Sequence, residues 1–370
     1  MFAEAEITLE SNDFTLTGEI TRGKYGLICG GVQISTSRDI ALKFFGYTCD
    51  EPQMNRISNE IKILDKLKSA VSGPQILGIF YDDEKGLLPA KLYKERFPII
   101  VVERLRGGDI LSRLFSTGKF TESAARIIFG NVINAVHGLH SVSVIHCNLK
   151  AEHIVFCSTH PDDLRVQIVS FGDALILPDN RCDYIYDNSK RGSEAFIAPE
   201  TLDAFSSIQC YLYSKQTDVW QVGCLLYCLL FARLPFGKGE EAEALIANSM
   251  SAALQLPPSC SESISPEAWD LLLRMLDKDP ATRISTSAIL AHPWLTDSTL
   301  PMGIETKMEG KKEQRTVSEE EEEGEDEEAE VEQDFAYSDW DEYSMEGSVQ
   351  QDELGTGGPS QLIFTILIVL

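Results

Sequence analysis

The first third of the chain alternates short apolar runs with polar, glycine-containing turns, a pattern typical of a small antiparallel sheet. One segment, at residues 53–67, changes period, because its apolar residues recur every three or four positions with charged residues between them. That spacing predicts an amphipathic helix. The predicted strands cover residues 14–20, 27–34, 40–45, 76–80 and 98–103. This part of the chain is therefore predicted to form a five-stranded antiparallel sheet that carries one helix.

The following two hundred residues, roughly, have mainly helical patterns. A long helix is predicted at 121–140, and the segment 216–231 is so uniformly apolar that we expect a helix buried on all sides. Shorter helices are predicted at 266–276 and 285–290, with Ser265 and Ser285 as their expected N-caps and Pro266 at a first helical position. The predicted inner face of the long helix consists of Ile127, Ile128, Val132, Val136 and Leu139. Together these patterns predict an α+β protein with a sheet-rich first part and a larger helical second part.

The charge of the chain is large and unevenly distributed. The 370 residues carry a formal net charge of −26, and residues 303–370 alone contain 21 acidic and 4 basic residues. A chain of this charge does not bind nucleic acid by neutralising phosphates, so we expect no nucleic-acid partner. Residues 318–334 are nearly all Glu and Asp, a composition that repels itself and buries no apolar surface. We therefore expect residues 296–370 to be a disordered acidic tail. Residues 1–13, which precede the first predicted strand, are expected to be a leader.

The nine cysteines form no paired motif, and the first residues show no basic and apolar signal pattern. Reduced thiols in the cytoplasm are the expectation, with Cys224 and Cys228 as core residues. The apolar end of the chain, residues 361–370, is about half as long as the roughly 20 residues that cross a bilayer. We therefore expect no membrane partner.

Candidate phosphate-binding chemistry lies in the predicted sheet. Gly23 and Gly26 form a turn between two strands, and glycines let a backbone approach phosphates closely. Lys43 on the next strand has the reach to contact a phosphate, and Glu60 on the predicted helix offers it a carboxylate partner. Each feature alone is weak, because a surface lysine and a solvated helix glutamate would look the same.

The order of the motifs is much more specific, and over residues 14–295 the chain resembles the protein kinase superfamily. The resemblance rests on motifs at Gly23 and Gly26, Ala41 to Lys43, Glu60, Glu103, Gly107 to Asp109, His146 to His153, Ser170 to Gly172, Ala198 to Glu200, Asp218 to Gly223, Arg283 and His292 to Trp294. It implies a bilobal fold, with an N-lobe at 14–103 and a C-lobe at 104–295. Several motifs are most similar to the calmodulin-kinase and myosin light chain kinase group, and within it to titin and obscurin kinase-like domains.

Three departures from the kinase pattern remove its chemistry. Protein kinases use a loop Asp to accept the hydroxyl proton, and an Asn and a second Asp to hold Mg²⁺. The resemblance places Asn148 at the base position, His153 at the Asn position and Ser170 at the metal-binding Asp position. An amide accepts no such proton, and neither imidazole nor a neutral hydroxyl suits Mg²⁺. The cationic pocket for an activation-loop phosphate is also expected to be missing, since Cys147 stands in place of an Arg.

The resemblance implies that other site residues remain. A cleft bounded by Lys43, Glu60, Glu103, Asp109 and Ser170 is expected, with Gly23, Gly26 and Ala41 at the nucleotide, Asp109 at the ribose and Lys150 facing the γ-phosphate. We expect weak, metal-independent ATP binding or an empty cleft, with no metal ligands and no Mg²⁺. Two structural pairings are also implied, Glu200 with Arg283, and Asp218 with the catalytic loop. Both serve the fold and say nothing about catalysis.

The sequence leaves three functions open. The first is a pseudokinase that acts as a scaffold or allosteric partner, binding proteins through its C-lobe or its acidic tail. The second is an atypical serine/threonine kinase that holds metal on Asp173 or Glu152. The third is an interaction protein driven by the tail, where aromatic residues lie among the acidic ones. The short basic segment before the tail has too thin an apolar face for a calmodulin target, so we expect no calmodulin binding.

Overall fold

The computed structural model describes residues 8–9, 14–23, 26–45, 51–67, 76–81, 98–178, 182–203, 210–237, 242–257 and 264–296. The acidic tail, the apolar C-terminal segment and nearly all of the predicted leader lie outside these residues. No helix in the described ranges is long and apolar enough to cross a bilayer.

The N-lobe is an antiparallel sheet with one long helix packed against it. Its elements are β1 (Thr8–Leu9), β2 (Phe14–Gly23), β3 (Gly26–Gln33), β4 (Arg38–Phe45), α1 (Glu51–Leu67), β5 (Ile76–Tyr81) and β6 (Pro98–Glu103). The strand order is β1-β2-β3-β4-β6-β5. Consecutive residues of β4 and β6 are buried, and apolar side chains such as Ile40, Leu42 and Val101 form the sheet core. This arrangement confirms the predicted sheet with its single helix.

The sheet has one strand more than the five predicted. Thr8 and Leu9 pair with Thr15 and Phe14, so the sheet begins inside the segment predicted to be a leader. A two-residue strand is too short to show an alternating pattern, which is why the sequence did not indicate it.

The C-lobe is mainly helical, with three small strand pairs. The helices are α2 (Ile110–Thr117), α3 (Glu122–Ser141), α4 (Pro199–Asp203), α5 (Lys215–Phe231), α6 (Ala242–Ser251), α7 (Pro266–Met275), α8 (Thr286–Leu290) and α9 (Pro293–Thr296). The antiparallel strand pairs are β7 (Val144–Ile145) with β10 (Leu175–Ile176), β8 (Ile154–Phe156) with β9 (Val166–Ile168), and β11 (Tyr184–Asp187) with β12 (Tyr211–Ser214). The fold is therefore the predicted α+β arrangement of two lobes.

Helix α5 forms the centre of the C-lobe, as its apolar sequence predicted. Every residue from Thr217 to Phe231 is buried, including Cys224 and Cys228. Helix α3 packs against it, but its predicted inner face is wrong at one position. Ile128 is fully buried, whereas Ile127 is 36% exposed. Adjacent helix positions point about 100° apart, so only one of the two isoleucines faces the core.

Glu122, at the start of α3, closes the C-lobe around its last helices. Its carboxylate accepts hydrogen bonds from the Ser265 backbone N–H at 2.7 Å and the Trp294 indole N–H at 2.8 Å. Ser265 caps α7 and Ser285 caps α8, as predicted from their positions before each helix. One partly buried carboxylate thus connects α3 to α7 and α9.

Candidate functional site

Lys43 and Glu60 form the predicted ion pair between the sheet and α1. Lys43 lies in the middle of β4, opposite Ile28 of β3 and Ile100 of β6. Its Nζ donates to both carboxylate oxygens of Glu60, at 3.0 and 2.8 Å. Both side chains are largely buried, 12% and 8% exposed, so water screens the pair little. The pair fixes the distance between α1 and the sheet.

A pocket lies beside this ion pair, between the lobes. Five of the predicted cleft residues line it, namely Ala41, Lys43, Glu60, Glu103 and Ser170. The rest of its wall is apolar and comprises Ile28, Leu64, Ile100, Val102, Leu105, Val169 and Phe171.

The two glycines of the predicted turn lie at the ends of two paired strands. Gly23 ends β2 and Gly26 begins β3, and the two are directly opposed in the antiparallel register. The side chains of Lys24 and Tyr25 between them lie outside the described residues. The glycines thus form the base of a hairpin, the position expected for a turn that approaches a ligand.

Asp109 does not lie in the pocket wall, in contrast to its predicted ribose contact. It is only 3% exposed and caps α2, where its two carboxylate oxygens accept from the Ser112 backbone N–H at 2.7 Å and the Ser112 hydroxyl at 2.8 Å. Burial raises the pKa of Asp109, an effect that the nearby charge of Glu152 increases and the Ser112 hydrogen bonds oppose. The Asp-x-x-Ser spacing of an N-cap explains the difference, because the helix end uses the same oxygens.

A carboxylate of α5 holds the catalytic loop, residues 146–153, by hydrogen bonds to its backbone. Asp218 is fully buried and accepts from the backbone N–H groups of His146 and Cys147, each at 2.8 Å, and its Oδ2 also lies 2.9 Å from His140 Nε2. The predicted bracing of the loop by Asp218 is confirmed. Gln221, one turn further along α5, adds two more bonds, accepting from the Leu149 N–H and donating to the Cys147 carbonyl, both at 2.8 Å. Its role was not predicted.

Asn148, at the position of the base, is itself a donor. Its side-chain Nδ2 donates to Asp173 Oδ2 at 2.8 Å, and its Oδ1 is 3.4 Å from the Ser193 hydroxyl. The other oxygen of Asp173 lies 3.2 Å from the Arg56 guanidinium of α1. The carboxylate nearest to the base position is therefore held by an amide and a cation at once.

Helix α1 forms hydrogen bonds with the turn that follows Ser170, and the sequence did not predict them. Asn59 donates to the Ala174 carbonyl at 2.6 Å and the Gly172 carbonyl at 3.2 Å. From the opposite side, Arg191 donates to the Asp173 carbonyl at 3.2 Å and pairs with Asp187. These contacts fix the positions of α1, of the turn after Ser170 and of the segment around Arg191 relative to one another. The sequence offers no signal for them, since the partners are more than a hundred residues apart in the Asn59 case.

Ser170 lies in the cleft with a left-handed backbone, φ 68° and ψ 70°. Among non-glycine residues, Asn and Asp adopt this conformation most readily, so the backbone here suits an Asp better than the Ser that is present. The Ser hydroxyl lines the pocket without bringing a charge to it.

His153 is neutral, and its ring is buried inside the loop. Its Nδ1 donates to the Asn148 carbonyl at 2.7 Å, and burial, together with the charge of Lys150, holds its pKa well below 6.5. His146 is also buried; its Nε2 donates to the Val169 carbonyl at 3.1 Å, and burial lowers its pKa as well. Both imidazoles are therefore packing and hydrogen-bonding groups of the loop.

Lys150 and Glu152 pair with each other at the far side of the loop, 2.8 Å apart. The second oxygen of Glu152 is buried and has no hydrogen-bond partner among the described residues. A single oxygen does not make a metal site, and within the described ranges no three His, Cys, Asp or Glu side chains come together in a group that could hold an ion. The residues present do not fit the Mg²⁺ that this type of cleft uses.

The two buried histidines give a testable acid sensitivity. In the unfolded chain each takes up a proton near pH 6.5, whereas the folded state resists it, so stability should fall as the pH drops below about 6.5. Each histidine contributes a slope of up to about 1.4 kcal/mol per pH unit. His153→Gln should reduce this slope, measured by urea unfolding between pH 7.5 and 5. His160→Gln, at an exposed position, should leave it unchanged, and an equal reduction in both variants would contradict the assignment.

An ion pair between sheet and helix, a cleft between the sheet and the helical part, and a loop held by a buried carboxylate of α5 together define the two-lobed protein kinase class of fold. A sequence model described as "Protein kinase domain" matches residues 14–295, the range that the sequence motifs predicted. The chain belongs to the protein kinase family.

Curated relatives agree with this membership. The chain is similar to calcium-dependent protein kinase 29 of Arabidopsis thaliana, 28% identical over 77% of this chain and 49% of that protein. It is also similar to CDPK-related kinase 5 of the same plant, 29% identical over 80% and 46%, and to human serine/threonine-protein kinase D3, 29% identical over 74% and 28%. The chain spans half or less of the length of these relatives. The finer resemblance to titin and obscurin kinase-like domains stays a prediction.

Proposed function

We propose that this protein is a pseudokinase that acts by binding other proteins, as a scaffold or allosteric partner, with weak or no ATP binding. The observation that carries the proposal is the hydrogen bond from the Asn148 amide to Asp173. The amide nitrogen at the base position is a donor, the amide oxygen is too weakly basic to take the substrate proton, and the nearest carboxylate, Asp173, is already engaged by Asn148 and Arg56.

The expected loss of rate is large because the defects add. Removing a general base typically costs about 10²–10⁴-fold. Without a metal, several more kcal/mol of transition-state stabilisation are lost. Active kinases turn over at about 1–100 s⁻¹, so the combined losses leave too little activity for signalling.

The atypical kinase that would hold metal on Asp173 or Glu152 is less well supported. Asp173 is bound by Asn148 and Arg56, and Glu152 is bound by Lys150. A metal at either position would have to displace an existing cation or amide, and no third ligand is near among the described residues. The relatives are named as kinases, but those names describe the relatives. They do not give this chain a base at Asn148 or metal ligands at His153 and Ser170.

We propose a protein partner at the C-lobe or the acidic tail, and a reducing, cytoplasmic compartment. The seven cysteines in the described ranges are all reduced thiols, which supports the compartment. Four of them are buried, and burial raises the pKa of Cys29 to about 11 and of Cys224 to about 12. Such thiols pack as small apolar groups and do not act as nucleophiles.

Incubation with radiolabelled ATP, a generic substrate and Mg²⁺ or Mn²⁺ tests the proposal. We expect no transfer above background from the natural chain and none that depends on Asp173 or Glu152. The variant Asn148→Asp/Asp173→Asn/His153→Asn/Ser170→Asp restores the three missing groups, gives the new loop carboxylate a neutral neighbour, and serves as the comparison. Transfer by the natural chain that disappears in Asp173→Ala would contradict the pseudokinase and favour the atypical kinase.

A further inference from the structure

A groove of about 590 Å³ lies in the C-lobe, and it shares no lining residue with the cleft between the lobes. It is bounded by the end of α3, the start of α5, the start of α8 and the strand pair β11–β12. Ligand cavities in proteins have volumes of about 300–1,000 Å³. This cavity, which we call the C-lobe groove, therefore has room for part of a peptide.

Two exposed tyrosines form an aromatic wall of the C-lobe groove. Tyr184 and Tyr186 alternate along β11, so their side chains lie on the same face of the strand pair. They are 52% and 49% exposed, and their rings meet edge to face with centroids 5.8 Å apart. Between them, Ile185 packs against the core cluster that contains the fully buried Tyr213 of β12. The two rings therefore lie on a strand that is anchored in the core.

Each charged side chain in the wall of the C-lobe groove already has a partner. Lys215 Nζ lies 3.0 Å from the Asp183 carboxylate, and Glu200 is paired with the buried Arg283 at 2.7 Å. The two histidines of the wall are also engaged, by contacts of 2.9 and 3.0 Å. A charged ligand would have to compete with these partners, whereas an uncharged ligand leaves them intact.

Hydroxyl groups supply hydrogen-bond donors to the C-lobe groove at the start of α8. Ser285 and Ser287 both line it, and their hydroxyl oxygens lie 3.0 Å apart. That hydrogen bond uses one of the two hydroxyl protons, so the other remains for an outside acceptor. An extended peptide offers backbone carbonyls to such donors, because they are not bonded within the peptide. A helix satisfies its own carbonyls and would bury these hydroxyls without partners.

Charge and composition disfavour an occupant from the protein itself. Residues 303–370 contain 21 acidic and 4 basic residues and a single proline, Pro359. The whole chain carries a net charge of −26, so its acidic tail and a second copy are both repelled from its surface. The occupant that fits is an uncharged, extended segment of another protein.

We propose, building on the protein-binding function proposed above, that the C-lobe groove docks an uncharged proline-rich segment of a partner protein. Tyr184 and Tyr186 contact the proline rings, and the hydroxyls at the start of α8 donate to the carbonyls between them. Aromatic-lined grooves bind proline-rich segments in this way, and the entropic cost is low because the polyproline II conformation is already formed in the free peptide.

NMR titration of the labelled full chain with acetylated and amidated decaproline tests the proposal. Signals of the Tyr184 and Tyr186 rings and of the Ala281 methyl group, which lines the groove, should shift saturably. The methyl signals of Val102, in the cleft between the lobes, should stay unchanged. Because the peptide is uncharged, its affinity should change less than about twofold between low and high salt.

Two further peptides distinguish other occupants. An arginine-rich decapeptide and a helical alanine-rich peptide should each bind more weakly than decaproline at the same signals. Tighter binding of either peptide would overturn the inference, and so would the absence of saturable shifts with decaproline.

The variant Tyr184→Ala/Tyr186→Ala should bind decaproline at least about tenfold more weakly than the natural chain. Met250→Ala is the matched control, since Met250 is 41% exposed and lies outside the groove wall, and it should bind like the natural chain. Equal affinities for the two variants would contradict the proposal. If the tyrosine variant does not fold, the ring shifts of the natural chain decide the matter.

The outcomes separate this inference from the pseudokinase proposal. Failure of decaproline to bind, together with no phosphate transfer by the natural chain, overturns the groove assignment alone. Phosphate transfer by the natural chain, together with saturable shifts at Tyr184 and Tyr186, contradicts the pseudokinase and supports the groove.

Discussion

Arg283→Ala is expected to lower the unfolding free energy by about 3–5 kcal/mol, because it leaves a buried carboxylate without its cation. The two guanidinium nitrogens of Arg283 donate to the two oxygens of Glu200 at 2.7 and 2.9 Å. The same side chain also donates to the carbonyls of Gln216 and Asp277, at 2.7 and 2.9 Å. Its side chain is fully buried, so water cannot replace these bonds.

Urea unfolding of Arg283→Ala beside Arg274→Ala measures the difference that burial makes. Arg274 forms an ion pair of similar length with Asp270, 2.8 Å, but both side chains are about half exposed. Exposed pairs contribute little, so Arg274→Ala should be close to the natural chain. The double variant Arg283→Met/Glu200→Met should recover part of the loss, since it removes both charges. Equal stabilities for Arg283→Ala and Arg274→Ala would refute this account.

The pairs that the sequence predicted share one property, namely that each belongs to a motif with fixed spacing. Lys43 with Glu60, Glu200 with Arg283, and Asp218 with its loop all follow from the order of kinase motifs, and the structure confirms each contact. Strands and helices followed from periodicity because burial of one face imposes that period.

Several contacts could not be predicted because local and distant groups compete for the same side chain. Asp109 occupies a motif position, yet the end of α2 uses its carboxylate. The contacts of Arg56 and Asn59 with the turn after Ser170 join segments far apart in sequence, and polar residues on a helix surface give no hint of their partners. Sequence reasoning could name Asp173 as a candidate metal ligand but could not show that Asn148 and Arg56 already contact its carboxylate.

The bond between Asn148 and Asp173 implies that restoring the base alone is harmful. Asn148→Asp places two carboxylates 2.8 Å apart at a site where both residues are mostly buried. Like charges at this distance cannot both ionise freely, so one pKa rises and the pair shares a proton. We therefore expect Asn148→Asp to be destabilised above the ordinary carboxyl range and to recover as the pH falls far enough to protonate one group.

The exchange variant Asn148→Asp/Asp173→Asn should rescue the loss, because it reverses donor and acceptor across the same 2.8 Å contact. A double-mutant cycle on urea unfolding at pH 7.5 should give a favourable coupling free energy of about 1–3 kcal/mol. The rescue is partial, since Arg56 then faces an amide where it faced a carboxylate. The same exchange, combined with Ser170→Asp and His153→Asn, is the best background for regained phosphate transfer, because only there does the loop carboxylate have a neutral neighbour. A cycle with no coupling would mean that Asn148 and Asp173 do not share a hydrogen bond, and the observation that carries the pseudokinase proposal would be lost.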